Sequence, residues 1–250
     1  MLSKSKLKLI RSLEMKKFRN ESGLFVAEGN KLVGEMLPVF ACRLLLARPE
    51  WLAAHPAVAA DEVIVAENGD IEKASLLKTP QDVLAVFVQA CQQLDKRLIK
   101  NELSLVLDGI QDPGNLGTIV RIANWFGIRQ VICSPDTADI YNPKAMQATM
   151  GGLSKVRVFY ESLPEFLATF PDMPVYGAFL EGENIYTEKL SPKGFIVMGS
   201  EGKGIRQHLD PLITNRLYIP NYPLGAISTE SLNVAVATAI VCSEFRRRQI

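Results

Sequence analysis

Histidine and cysteine are scarce. The 250 residues hold two histidines, His55 and His208, and four cysteines, Cys42, Cys91, Cys133 and Cys242, none in a C-x-x-C pair. Zinc sites draw on close-set cysteines and histidines, so this scatter argues against a metal centre and fits reduced, buried thiols. Long hydrophobic runs are missing as well: even Val234 to Cys242, broken only by Thr238, falls far short of a membrane span. The N-terminus interleaves Lys4, Lys6 and Lys8 with leucines and has no apolar run leading to a cleavage site, so a cytoplasmic chain with no membrane partner is expected. Neither G-x-x-x-x-G-K-[ST] nor a G-x-G-x-x-G after the first strand of either half occurs, which counts against phosphate-loop and nicotinamide enzymes.

What is present is ordinary globular composition, 48% hydrophobic and 22% charged, in a chain long enough for about two domains. Net charge is only +1, yet Lys4, Lys6, Lys8, Arg11, Lys16, Lys17 and Arg19 crowd the first twenty residues against Glu14. Such a cluster either attracts phosphate backbones or forms the solvated face of an amphipathic helix.

Apolar periodicity predicts a helix over residues 3–18. Short apolar runs and helical patterns then alternate: strands at Leu24 to Ala27, Ala41 to Ala47, Val63 to Ala66 and Leu84 to Gln89, helices at Asn30 to Leu37 and around Asp70 to Leu77. Cys91 to Glu102 reads as a polar linker, which puts one small α/β domain at 1–95 and a second domain at 96–250. In the second, strands are predicted at Leu103 to Leu107, Gln130 to Cys133, Lys155 to Phe159, Val175 to Phe179, Phe195 to Met198 and Arg216 to Ile219. Helices are predicted at Leu116 to Trp125, Pro143 to Met150, Leu163 to Thr169 and Ser231 to Arg248. Continuous apolar strands such as Leu105-Val-Leu and Phe195-Ile-Val-Met imply a mostly parallel sheet covered on both faces, with ligands at the strands' carboxyl ends.

Three loops at those ends carry candidate chemistry. After Leu107, Asp112-Pro-Gly turns the chain and Asn115 can cap a helix that bears Arg121, either a surface ion pair or a phosphate clamp. After Met198, Gly199-Ser-Glu-Gly-Lys-Gly204 sets Glu201 among glycines that let main chain wrap a ligand. After Ile219, Pro220, Pro223 and Gly225 break regular structure, and Ser228 and Thr229 open an apolar helix expected to be buried on most of its circumference. The polar group Ser228, Thr229, Glu230, Ser231 and Asn233 at its mouth reads as capping or as a ligand site on a helix N-terminus. No histidine, cysteine or paired carboxylate joins these loops. The inventory suits positioning two substrates for a direct displacement rather than triad hydrolysis.

Taken together, Asn115-x-Gly117-x-x-x-Arg121-x-Ala123, Gly199-x-Glu201-x-x-Gly204, and Ile219-Pro220 followed by Ser231-Leu-Asn-Val234 resemble the three motifs of the SpoU branch of the SPOUT superfamily, TrmH-like RNA ribose 2'-O-methyltransferases. The match spans roughly Leu103 to Arg247. Phe25-Val-Ala-Glu-Gly-Asn-Lys is similar to the ribosomal-protein-like substrate-binding domain that precedes the catalytic domain in part of the family.

The resemblance implies an α/β-knot, a trefoil-knotted and mostly parallel sheet, with S-adenosylmethionine held in the knot by main chain of the second and third motif loops. By position the donor contacts are Met198, Gly199, Gly204, Ile219, Ser228 and Leu232. Arg121 carries over as the catalytic arginine, with Asn115, Glu201, Ser231 and Asn233 as polar partners. The resemblance further implies a homodimer through the C-terminal domain and RNA as substrate, ribosomal RNA favoured over transfer RNA because of the extra domain. Two departures stand out: four more residues separate Ile219 from Leu232 than is common, and Ala235 replaces a frequent serine. A non-catalytic RNA-binding protein on the same scaffold and a nucleotide-binding α/β enzyme are the competing readings.

Overall fold

The computed structural model describes residues 2–67, 69–91, 93–223 and 231–249. The chain forms two compact units, Met1–Cys91 with Asp139–Ser154, and Gln92–Ala138 with Lys155–Ile250.

The first unit runs α1 (Lys4–Ser12), α2 (Lys16–Ser22), β1 (Leu24–Glu28), α3 (Asn30–Met36), β2 (Cys42–Ala47), α4 (Pro49–Ala54), β3 (Val63–Val65), α5 (Asp70–Ala74) and β4 (Val83–Val88). Its sheet has the order β1-β4-β2-β3, with β4 antiparallel to both neighbours. Leu84 to Phe87 on β4 have no exposed surface, as expected of a strand covered on both faces. One face packs Ile10, Leu13, Val26, Leu46 and Val86 together. On the other, Phe25 sits 5.6 Å from Phe87 and 4.6 Å from Tyr141, ring centroid to ring centroid.

The helix predicted over residues 3–18 is two helices, and Arg19 is the reason. Its side chain is 1% exposed and donates from Nη1 to the carbonyls of Leu13 at 2.8 Å and Glu14 at 2.7 Å. Those carbonyls would otherwise accept the next helical N–H groups, so the chain breaks there. Arg19 therefore leaves the basic surface cluster and becomes a core residue.

The second unit continues with α6 (Lys96–Asn101), β5 (Leu103–Asp108), α7 (Pro113–Trp125) and β6 (Gln130–Cys133). The chain then returns to the first unit through α8 (Pro143–Thr149). It comes back as β7 (Arg157–Tyr160), α9 (Leu163–Ala168), β8 (Val175–Phe179), β9 (Glu183–Asn184), β10 (Gly194–Gly199), β11 (Asn215–Tyr218) and α10 (Val234–Arg247). The sheet order is β7-β6-β5-β10-β8-β11-β9, and every pairing is parallel. All the carboxyl ends thus share one edge. This is the expected α/β class with a mostly parallel sheet.

Four local expectations change. α6 occupies the stretch read as linker, capped by Asp95, whose carboxylate accepts from the N–H groups of Arg97 and Leu98 at 3.0 and 3.1 Å. α4 and the two-residue β9 were not predicted. Cys91 is exposed, while Cys42, Cys133 and Cys242 are buried thiols. α10 starts at Val234, and it is not enclosed all round: Val236 is 50% exposed, and Ala239 and Ile240 on the same side are half-buried. Among the described residues no helix is long and apolar enough to cross a membrane.

Candidate active site

β5 and β10 lie side by side, Gly199 paired with Asp108, so the loops that follow them meet above the sheet edge. The loop after β10 is tight. Ser200 N–H donates to the Gly204 carbonyl at 3.1 Å and Gly204 N–H donates back at 2.8 Å. Gly204 has φ +64, and a Cβ on Gly199 would overlap the backbone of Gly204 and Ile205, so both glycines are dictated by geometry. This fold of main chain projects Glu201 toward α7 and α10.

Three predicted side chains converge there. Glu201 Oε1 accepts from Asn115 Nδ2 at 3.2 Å, from Val234 N–H at 3.3 Å and from Asn233 Nδ2; Asn233 Nδ2 also donates to Asn115 Oδ1 at 3.1 Å. Three motif loops, the outer two 118 positions apart, are thereby tied at one point. The caps differ from expectation. α7 is capped by Asp112, which accepts from Asn115 N–H at 2.9 Å and leaves the Asn115 amide for Glu201. α10 is capped by Asn233, accepting from Ala235 and Val236 N–H at 3.0 and 3.3 Å; Ser228 and Thr229, expected to open it, lie outside the described residues.

Arg121 does not join this cluster in the way of Asn115. Six residues on along α7, it lies about 9 Å further and roughly 120° around the helix. It is exposed and makes no hydrogen bond or ion pair among the described residues. Met198 is 2% exposed at the end of β10, and Ile219 follows β11 half-buried. Ser231 is exposed and Leu232 is 49% exposed, just before α10. Ser228 lies outside the described residues.

Sequence reasoning missed the group beneath the Glu201 loop. The Asp108 side chain, wholly buried at the end of β5, accepts from Arg206 N–H at 2.8 Å, from its Nε at 2.7 Å and from its Nη2. The same guanidinium reaches both oxygens of Asp136 at 3.2 Å. The bond to Asp108 holds Arg206 in its charged form. A hydrogen bond from Ser134, then one from its own backbone N–H and the Arg206 charge, keeps the Asp136 carboxyl below the usual carboxylate range. A carboxylate closing the apolar run Leu103-Ser-Leu-Val-Leu-Asp was the available signal. Asp108, Gln111, Asn115, Asp136, Glu201 and Lys203 line a cavity of about 270 Å³. A larger hollow of about 550 Å³ lies in the first unit, but Glu50, Glu67 and Glu72 line it beside Arg48, which Glu72 already pairs at 2.9 Å. Both hollows carry several carboxylates, so what singles out the smaller one is that the motif residues Asn115 and Glu201 line it.

An all-parallel sheet with glycine-bent loops and an amide–carboxylate node at its carboxyl edge defines an α/β protein with its ligand site at the strand ends. Comparison narrows that. Residues 102–243 match the SpoU rRNA Methylase family, and residues 4–85 match the MRM3-like substrate binding domain. The chain is 30% identical over 246 residues, 96% of each protein, to 23S rRNA (guanosine(2553)-2'-O)-methyltransferase RlmP of Bacillus subtilis (strain 168). Among solved structures, a TrmH-family protein from Porphyromonas gingivalis is 43% identical over 99% of both chains, with a TM-score of 0.90. The AdoMet-bound rRNA methyltransferase from Sinorhizobium meliloti is 26% identical, covering 100% of this chain and 98% of that one, with a TM-score of 0.82. The chain belongs to the SpoU rRNA methylase family, S-adenosylmethionine-dependent RNA 2'-O-methyltransferases.

Proposed function

We propose that this protein methylates a ribose 2'-hydroxyl in ribosomal RNA, at the site where Asn115, Glu201 and Asn233 converge. That convergence is the observation that carries the reading, because it assembles all three motif loops on one carboxylate. S-adenosylmethionine, when bound, would supply an electrophilic methyl group: as the 2'-oxygen takes it the methyl–sulfur bond breaks and the hydroxyl proton passes to water, leaving the methyl ether and S-adenosylhomocysteine. The chain fits that cofactor. Main chain at Met198, Gly199 and Gly204 offers polar groups, and the half-open side chains of Ile219 and Leu232 offer an apolar face for its purine. Glu201 keeps the loop closed on α10 and so fixes where those main-chain groups stand.

Arg121 is assigned to the RNA. A guanidinium is always protonated and cannot serve as the base, but its planar fork holds a phosphate and stabilises charge growing on the 2'-oxygen. Asn115, Asn233 and Ser231 orient the reacting groups, and orientation supplies much of the rate in a displacement of this kind. The first unit, with its lysine-rich α1 and α2, is assigned to binding the RNA. A homodimer is part of the proposal. α7 packs on α10, and Trp125 near the end of α7, 84% exposed, and Val236 near the start of α10, 50% exposed, are apolar side chains that a second copy would cover. The substrate sets the location, the compartment that holds ribosomal RNA, here the cytoplasm.

The test combines calorimetry with S-adenosylmethionine, transfer of labelled methyl to unmethylated ribosomal RNA, and light scattering for the oligomer. Saturable donor binding, incorporation on ribose and a dimeric mass are expected. Donor binding without incorporation into ribosomal RNA but with incorporation into transfer RNA would shift the substrate. No donor binding would leave the non-catalytic RNA-binding reading in possession.

A further inference from the structure

The sheet edge that carries the site is acidic. Asp108, Asp112, Asp136 and Glu201 line its cavity against two cations, Lys203 and Arg206, and Arg206 is taken up by Asp108 and Asp136. Such a rim has no net attraction for a phosphate backbone. The opposite edge of the same sheet has the reverse sign. α6 leads into β5, and its start is fastened beside β6: Asp95 N–H donates to Gln130 Oε1 and Gln130 Nε2 donates back to the Asp95 carbonyl, both at 3.2 Å. Gln130 opens β6, and its register partner on the edge strand β7 is Arg157. Lys96, Arg97 and Lys100 of α6 are thereby gathered with Lys155 and Arg157 around the amino ends of three neighbouring strands. All five are exposed, and none makes an ion pair or a side-chain hydrogen bond among the described residues. Arg129, whose carbonyl accepts Arg157 N–H at 2.9 Å, is matched by Glu102, which takes its Nε at 3.0 Å. The Asp95 carboxylate is occupied in capping α6. This edge therefore holds six cations against two engaged carboxylates, in a chain whose net charge is only +1.

We infer that this amino edge is a second RNA contact, where Lys96, Arg97, Lys100, Lys155 and Arg157 hold backbone phosphates of the substrate away from the reacting sugar. β10, six residues long, crosses the sheet from that edge to the site, about 20 Å at the rise of an extended strand. At roughly 3.4 Å per nucleotide along a stacked strand, on the order of six nucleotides separate the two contacts. The edge therefore favours an RNA folded so that a neighbouring segment comes round the domain, over a short strand that fills the site alone. Flexible lysines and arginines on an open surface read charge rather than bases, so the contact adds affinity and register without sequence preference. It lies in the second unit and is separate from the lysines of α1 and α2. From the proposed function it takes only that the substrate is RNA.

The test compares the full-length protein with a variant that combines Lys96→Ala, Arg97→Ala, Lys100→Ala and Arg157→Ala. None of these side chains holds another residue, so melting temperature and S-adenosylmethionine affinity should match wild type. Affinity for unmethylated ribosomal RNA is measured by fluorescence anisotropy, without donor, from 50 to 200 mM salt. Each phosphate contact removed lowers the salt slope by about 0.7–0.9, so four should flatten it by about three. Across that range wild type should then lose on the order of a hundredfold more affinity than the variant. In steady state the variant's KM for RNA should rise while kcat at saturating RNA stays the same. A second variant that exchanges each of these lysines for arginine and each arginine for lysine keeps the charges and should restore both slope and KM. An alanine variant with the wild-type slope and KM would overturn the inference. So would a defect seen on ribosomal particles but not on free ribosomal RNA, which would give the edge to a protein partner. RNA binding that follows the expected pattern without any methyl transfer would remove the proposed reaction and leave this contact standing.

Discussion

Asp139 Oδ2 takes two hydrogen bonds from Arg19, 2.9 Å from Nε and 2.7 Å from Nη2. The two residues are 120 positions apart, and the pair ties the Asp139–Ser154 segment into the first unit. Gln147 strengthens the tie by donating to the Glu28 carbonyl at 2.8 Å. A segment lying between β6 and β7 of the larger sheet therefore completes the fold of the smaller one.

Removing one member of a buried ion pair leaves the other charge without compensation, typically at about 3–5 kcal/mol. Arg19→Ala should destabilise the first unit by that order, since it strands Asp139 and two carbonyls at once. Hydrogen exchange by mass spectrometry reads it locally: protection should fall in α1, α2 and α8 together. Loss confined to α1 and α2 would show that residues 139–154 do not fold with them. Excising residues 1–95 to test RNA binding removes the partners of α8, so a point-variant series of Lys4, Lys6, Lys8, Lys16 and Lys17 is the cleaner comparison.

Asn233 has two duties, capping α10 and bonding Glu201. Loss of an N-cap alone costs about 1 kcal/mol. Asn233→Ser keeps a cap but withdraws the Nδ2 donor, so it should fold near normally yet bind S-adenosylmethionine more weakly, with lower methyl transfer. Glu201→Gln should reproduce the defect. Calorimetry and a melting curve on each variant decide the matter: unchanged donor affinity in both would show that the node does not shape the donor site.

The sheet was readable because parallel strands covered on both faces are continuous apolar runs, and Leu105-Val-Leu and Phe195-Ile-Val-Met are such runs. Asn115, Glu201 and Asn233 were readable as motif residues, but their meeting was not, since it depends on β5 and β10 being neighbours although 86 positions separate Asn115 from Glu201. The two caps were misassigned because Asp112 and Asn115, or Ser228 and Asn233, are equally good cap chemistry and only the chain path chooses between them. Arg19 looked like one more surface cation among lysines. Nothing local distinguishes a guanidinium whose partner is Asp139, and the same holds for Arg206, whereas Asp108 at the end of an apolar run did carry a signal.

Acid should weaken the end of α10 in a defined window. Hydrogen bonds from Arg247, with those from Arg248, hold the Glu244 carboxyl down at about 2, against an ordinary value of 4.5. A depressed folded-state value means the contribution is fully present above the ordinary value and is lost as pH falls from 4.5 toward 2. Arg248 also donates to the Ile185 carbonyl at 2.7 Å, so the loss reaches the strand edge. Denaturant unfolding across that range should show a shallower pH slope for Glu244→Gln than for wild type. Parallel slopes would mean that the ion pairs contribute nothing.

Arg121 makes the sharpest prediction, because it stands apart from the residues that shape the donor site. It is exposed on α7, and Trp125, one turn further on the same side, is 84% exposed. Arg121→Ala touches no described hydrogen bond, so folding and S-adenosylmethionine affinity should match wild type. If the guanidinium stabilises charge on the 2'-oxygen, kcat should fall on the order of a hundredfold to a thousandfold, the usual cost of losing one such donor. Arg121→Lys keeps the charge and loses the planar fork, so it should recover only a small part of that rate. Near-full turnover in Arg121→Lys would show that a point charge suffices, and near-full turnover in Arg121→Ala would remove this residue from the reaction.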